Sequence, residues 1–142
     1  VEGEGVSCAI GAEYEQMASE ICEMLGYQVI KPAKQNHAHW DRMINGHRTQ
    51  IKKRWIDPFS KNRVRLVTGR SSSVIVCTTA DVDAFAIYWG AGWYVFPADR
   101  VCDREGVIRN GIHMPALEAF KDRWDVLAGA KVDYDRQSEF GF

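Results

Sequence analysis

The feature that most constrains this chain is the dipeptide Asn45-Gly46, set between two segments that read as strands, Trp40 to Ile44 and His47 to Arg54. A two-residue type I′ turn needs positive φ at both central positions, and Asn-Gly supplies it with the least strain. Once that turn forms, register follows: opposite residues have numbers that sum to 91, so Asp41 faces Gln50 and Trp40 faces Ile51. Side chains alternate along a strand, and Lys52 therefore leaves from the same face as Gln50. One face carries Asp41, Gln50 and Lys52; the other carries Trp40, Ile44 and Ile51 and reads as core. A hairpin with a purely structural role has no need of the first set.

The remainder of the chain supports a single domain. Its 142 residues suffice for one hydrophobic core and hardly for two. Residues 1–10 read as a flexible tail, 11–130 as the folded domain and 131–142 as a second, irregular tail. Gly11 to Gly26 has helical spacing at Met17, Ile21, Met24 and Leu25, with Gly26 as C-cap. Tyr27 to Lys31 alternates like a short strand, Arg63 to Thr68 like another, and Val74 to Thr78 less clearly so. Ala84 to Trp89 and Trp93 to Pro97 form an apolar strand pair through Gly90-Ala91-Gly92. Pro115 to Ala128 reads as an amphipathic helix, with Leu117, Phe120, Trp124 and Leu127 on one stripe. No apolar run is long enough for a membrane span. Cys8, Cys22, Cys77 and Cys102 are dispersed, with no CxxC pair, which argues for reduced thiols rather than disulfides or a zinc site. With no leader-like opening, the expected location is cytoplasmic or nucleoid-associated.

The net charge of −1 says little, but its distribution says more. Val1 to Ile30 holds six acids and no Lys or Arg. Between Arg42 and Arg70 stand nine of the 18 Lys and Arg, against Asp57 alone. Such a local excess suits a phosphate backbone, where each neutralised phosphate releases counterions. Lys53, Arg54, Lys61, Arg63, Arg65 and Arg70 are candidates for phosphate contacts, and Ser71 and Ser72 could hydrogen-bond phosphate or belong to an ordinary loop. The competing reading is a solvated sheet edge protected by charge.

The polar face of the hairpin has the parts that phosphodiester hydrolysis needs. A hard cation such as magnesium takes oxygen ligands and keeps several waters, so one or two carboxylates hold it. Asp41 is the first ligand, Gln50 offers an amide oxygen, and the Ile51 carbonyl offers another oxygen. Lys52 supplies positive charge beside the attacking water or the phosphate. Glu15 on the first helix is the candidate second carboxylate, selected over Glu13 and Glu20 by its spacing to Gly26-Tyr27.

These residues resemble the PD-(D/E)XK nuclease superfamily, in which an Asp, a short hairpin and (Asp/Glu/Gln)-x-Lys follow one another; Gln50-Ile51-Lys52 is its Gln variant. The likeness extends over about Gly11 to Val101. It includes Gly11 and Glu15, Gly26-Tyr27-x-Val29, Pro32, Trp40-Asp41, Thr49 to Lys52, Asp83 to Tyr88, and Tyr94 to Pro97. That order is similar to a subgroup containing group I intron homing endonucleases. The resemblance implies an α/β (α+β) fold with an αβββαβ core, a mixed central sheet flanked by helices. It further implies Mg2+ or Mn2+ at Glu15, Asp41 and Gln50, Lys52 as the catalytic lysine, and a homodimer or homotetramer on double-stranded DNA. Two departures stand out: Trp40 replaces the usual Pro before Asp41, and an amide replaces the second acid.

The expected activity is therefore metal-dependent, site-specific DNA cleavage of the homing type. A Holliday-junction-resolvase-like nuclease and a non-catalytic DNA-binding module of the same fold are the alternatives. The plain reading of Asp41 and Lys52 is a surface ion pair across strands, worth about 0.2–1 kcal/mol. His37, His39 and His47 flank the hairpin and suit DNA or surface contacts better than metal, since His39 would oppose the Lys52 cation. Tyr88, Trp89, Trp93, Tyr94 and Phe96 alternate on strands and read as core rather than base-stacking platforms.

Overall fold

The computed structural model describes residues 2–32, 40–56, 59, 61–66 and 77–129, with the backbone alone described over 2–10. Helix α1 (Glu2–Met24) is followed by strands β1 (Val29–Ile30), β2 (Arg42–Ile44), β3 (His47–Arg54), β4 (Arg63–Arg65), β5 (Ala84–Trp89), β6 (Gly92–Pro97) and β7 (Gly111–His113). Five strands form one mixed sheet in the order β1-β2-β3-β5-β6, and β4 pairs with β7 in a separate ladder. The β3–β5 pair is parallel, and the other pairs are antiparallel. The expected mixed α+β architecture is present. Among the described residues, the crossover from β3 to β5 carries β4 and no α-helix.

The hairpin forms as its turn residues dictate. Asn45 and Gly46 have φ of 51° and 83°, and Arg42, Met43 and Ile44 face Thr49, Arg48 and His47. Asn45 also fastens the turn: its side-chain oxygen accepts the Gln28 N–H, and its amide donates to the Leu127 carbonyl. The β5–β6 hairpin turns at Gly90, whose φ of 67° suits the first position of a type II′ turn.

Both faces of the sheet are buried, so the polar face of the hairpin is not a solvent face. Alternation places Ile44, Ile51, Ala84, Ala86 and Val95 toward α1, in a core with Ala18, Cys22, Trp93, Trp124 and Leu127. The far face carries Phe85, Ile87, Tyr94 and Phe96 under Val64, Leu66, Cys77, Val82, Ile112 and Leu117. Small residues at 18, 22, 84 and 86 let the helix backbone approach the sheet, whereas Phe85 and Phe96 stack at 5.7 Å across the far face. Of the aromatic strand residues, Trp93, Tyr94 and Phe96 are buried in the core, whereas Tyr88 and Trp89 are half-buried and pack against it.

Three expectations are corrected. The helix begins at Glu2, where the sequence suggests a tail as far as residue 10; extending a helix that is already docked costs far less than nucleating one. Its buried stripe runs through Ala18 and Cys22, with Met24 and Leu25 87% and 51% exposed, because close packing on Ala84 and Ala86 favours the smaller side chains. Gly26 does end the helix, at φ 85°, with Tyr27 N–H donating to Cys22 C=O and Gly26 N–H to Glu23 C=O as in a Schellman motif. The Pro115 to Ala128 segment is not an α-helix. Two 3-10 stretches, Met114–Phe120 and Trp124–Leu127, are separated by Asp122 at φ 55°, whose N–H donates to Trp93 C=O. The edge strand β6 captures the backbone there, through that bond and a bridge between Tyr94 and Lys121. The expected buried side chains survive because Leu117 and Phe120, like Trp124 and Leu127, are three apart, the 3-10 period.

Candidate active site

The site forms where β2 begins beside the longer β3. Arg42 is the first residue of β2 and pairs with Thr49. Strand β3 therefore presents an unpaired edge beyond it. Asp41 occupies this edge. Its backbone N–H donates to Thr49 C=O, one residue short of the Gln50 that the hairpin arithmetic assigns it. The slip is bulge-like: two residues address one partner, and the side chain is re-aimed. The Asp41 carboxylate then lies along the edge of β3, where Oδ2 accepts the Ile51 N–H at 2.7 Å. In an extended strand the N–H and C=O of one residue point to the same side, so the Ile51 carbonyl is directed toward Asp41 as well.

Glu15 meets Asp41 from above. Helix α1 carries it one turn before Ser19, whose hydroxyl donates back to Glu15 C=O at 2.8 Å. The Glu15 carboxyl is pushed up to about 7, chiefly by burial and then by the charge of Asp41 and a hydrogen bond with it; Arg42 and Lys52 partly oppose the rise. Two carboxyls thus share one small space, and near neutral pH a proton or a cation is needed between them.

Arg42 frames the pair. It is 4% exposed, its Nε donates to Ser19 Oγ at 3.1 Å, its Nη1 donates to Asp41 C=O at 2.7 Å, and Nη1 stands 3.6 Å from Glu15 Oε1. The sequence reading missed this residue. Parity was the available signal, since Arg42 shares the apolar face with Ile44, and a cation there requires a buried partner.

Gln50 and Lys52 leave β3 on the far face, beside Phe85 and Ile87 of β5. Gln50 Oε1 is buried with no hydrogen-bond partner among the described residues. A buried acceptor left unpaired costs about 1–3 kcal/mol, which a ligand on that oxygen recovers. The Lys52 ammonium is held below its ordinary range by burial and by the nearby Arg54, while Asp41, Cys77 and Glu15 act in the opposite sense. Its neighbourhood thus contains both carboxyls, although it stands on the opposite face from α1.

The oxygen types suit a hard cation: two carboxyls, an orphaned amide oxygen and a backbone carbonyl. Among the described residues, no group of three or more His, Cys, Asp or Glu is gathered to hold a metal, so a cation here would rest on the two carboxyls and the neutral oxygens. His37 and His39 lie outside the described residues. His47 Nε2 hydrogen-bonds Gly129 C=O at 2.6 Å, a structural contact.

The basic candidates divide by environment. The Lys53 ammonium sits over Trp55, Tyr88 and Tyr14, at 4.3, 4.8 and 5.4 Å from the ring centroids, on the helix side of the sheet. Arg54 ties β3 to β4, its Nε donating to Arg65 C=O at 2.6 Å and its Nη1 to Lys53 C=O at 3.0 Å; Nη2 is buried and unpartnered among the described residues. Lys61, Arg63 and Arg65 are exposed. Arg70, Ser71 and Ser72 lie outside the described residues. A further lock, Arg48 with Asp83, joins the start of β3 to β5 through paired guanidinium–carboxylate bonds of 3.0 Å and an Arg48 N–H bond of 2.7 Å.

No family model matches the chain, and no curated protein sequence matches it. Among solved structures, one described as a bacterial homing endonuclease, I-Ssp6803I, superposes with a TM-score of 0.63 at 21% identity, over 82% of this chain and 88% of that chain. The chain therefore has a homing-endonuclease-like fold.

Proposed function

We propose that the protein is a divalent-metal-dependent DNA endonuclease of the PD-(D/E)XK type, site-specific, with its active site at Glu15, Asp41, Gln50, Ile51 and Lys52. One observation carries this reading. The Asp41 carboxylate is bonded to the Ile51 N–H, on the three-residue stretch that also holds the orphaned Gln50 oxygen and the buried Lys52. A surface ion pair would need neither the bulge nor the buried amide. The solved structure of similar fold, described as a homing endonuclease, supports the same reading.

In this proposal Asp41, Glu15 and Gln50 hold Mg2+ or Mn2+, with the Ile51 carbonyl as a further oxygen. When bound, the cation supplies Lewis acidity toward a phosphoryl oxygen and acidifies a coordinated water. Lys52 hydrogen-bonds the attacking water or a phosphate oxygen and offsets the negative charge that grows in the transition state. Its burial strengthens that interaction by excluding solvent. Arg42 positions the two carboxyls by holding Glu15 and the Asp41 carbonyl. One site cuts one strand, so cleavage of double-stranded DNA calls for a homodimer or homotetramer.

The test is cleavage of mixed plasmid and genomic DNA with magnesium, manganese or EDTA, comparing wild type with Lys52→Ala. Metal-dependent cutting that the variant loses, with discrete ends, is the expected result. Tight, salt-sensitive binding without cutting in any metal would instead favour a non-catalytic DNA-binding module.

A further inference from the structure

A basic cleft of about 240 Å3 opens beside the β4–β7 ladder, apart from the residues of the candidate active site. Its polar side chains are Arg63, Arg100, Arg109 and His113, over a floor that includes Val101 and Leu117; among the described residues no acid lines it. The fold assembles these groups from distant stretches of chain. Strand pairing sets Arg63 opposite His113. A backbone bond from Arg109 N–H to Val101 C=O, 2.8 Å long, brings the Arg109 and Arg100 segments together. The Arg100 guanidinium is further held over the Phe120 ring, 5.5 Å from its centroid.

All four side chains belong to exposed residues, and none forms an ion pair among the described residues. Among the described residues, the three arginines meet at this cleft with no carboxylate in its lining. Exposed guanidinium groups gathered around one cleft raise the local concentration of anions there. Guanidinium groups donate in a planar fork that matches the oxygens of phosphate, and several together select phosphate over a single carboxylate. The cleft is shallow and its floor apolar, which suits a sugar-phosphate unit presented from outside.

We infer that this cleft binds a backbone phosphate of DNA flanking the cut site, with Arg63, Arg100 and Arg109 as its ligands and His113 at its rim. The inference rests on the nuclease reading for its choice of polymer, and it extends DNA contact from Arg63, in the basic segment, to Arg100 and Arg109, which lie far from it in sequence. Arg100 and Arg109 contribute to DNA binding and take no part in the chemistry.

The experiment is binding of a short duplex DNA over a series of salt concentrations by wild type, the double variant Arg100→Gln/Arg109→Gln, and Lys31→Gln as a charge control at the β1 edge. Thermal melts establish that the exposed substitutions leave the fold intact. Loss of that phosphate contact lowers the slope of log affinity against log salt by about 0.9 in the double variant. Lys31→Gln should keep the wild-type slope. An unchanged slope in the double variant overturns the cleft, as does an equal fall in Lys31→Gln, which would mark a mere effect of net charge. If the double variant shows its reduced slope while mixed plasmid and genomic DNA is not cut in any metal, the cleft stands and the nuclease reading falls. If wild type does not bind DNA at low salt, both fall.

Discussion

Asp41 Oδ2 accepts the backbone N–H of Ile51 at 2.7 Å, so a side chain takes the place of a missing strand partner at the free edge of β3. This bond fixes the carboxylate at the junction of the two sheet faces. Glu15 approaches from the helix side, and Gln50 and Lys52 from the other. The geometry separates what each residue does for the fold from what it does for catalysis.

Asp41→Asn keeps an acceptor for the Ile51 N–H but removes the charge. Thermal melting should therefore change little. Metal-dependent cleavage should fall on the order of 10³-fold, because loss of the cation forfeits several kcal/mol of transition-state stabilisation. A variant that melts like wild type and still cuts at the wild-type rate would remove Asp41 from the site.

Gln50→Leu tests the orphaned oxygen. Replacing an unpaired buried acceptor with a similar apolar group should stabilise the metal-free protein by about 1 kcal/mol while abolishing cleavage. Chemical denaturation and a cleavage assay on the same sample read the two effects. Loss of stability together with activity would mean that Gln50 serves the fold.

Glu15 predicts a pH dependence of known sign. The folded protein holds this proton up to about 7, against 4.5 for an ordinary glutamate, so the unfolded chain releases it first as pH rises. Stability of the metal-free protein should therefore fall from about pH 4.5 upward through 7. Magnesium needs the ionised carboxyl, so its affinity should rise over the upper part of that range. Calorimetric titration of the metal across pH checks this, and in Glu15→Gln the dependence should flatten.

Arg42→Ala leaves Glu15 and Ser19 without their buried partner. The expected cost is about 2 kcal/mol, below the 3–5 kcal/mol typical of a broken buried ion pair, because Glu15 can take up a proton instead. Metal affinity at neutral pH should fall as well, since the Glu15 carboxyl rises further when its nearest cation is removed. Denaturation at pH 6 and pH 8 should show the larger loss at pH 8.

Local rules settled much of this protein from sequence alone. Asn45-Gly46 dictated a turn of one hand, and alternation then sorted Ile44 and Ile51 from Gln50 and Lys52 before any partner was known. Gly26 ended the first helix because only a residue free to adopt positive φ completes that cap. The apolar run from Ala84 and its mate ending at Pro97 gave a buried strand pair, since such runs have few other solutions. What tertiary structure decided depends on contacts between residues far apart in the chain. Strand β6 interrupts the Pro115 segment by taking its backbone bonds. A second layer covers the Gln50–Lys52 face and lowers the lysine's proton affinity. The slip at Asp41 arises only because β2 stops before β3 does, and Arg42 becomes tolerable only once helix α1 brings Glu15 and Ser19 to it. The basic cleft is the extreme case: residues 63, 100, 109 and 113 share no local pattern, and only the pairing of β4 with β7 and the bond between Arg109 and Val101 bring their charges together.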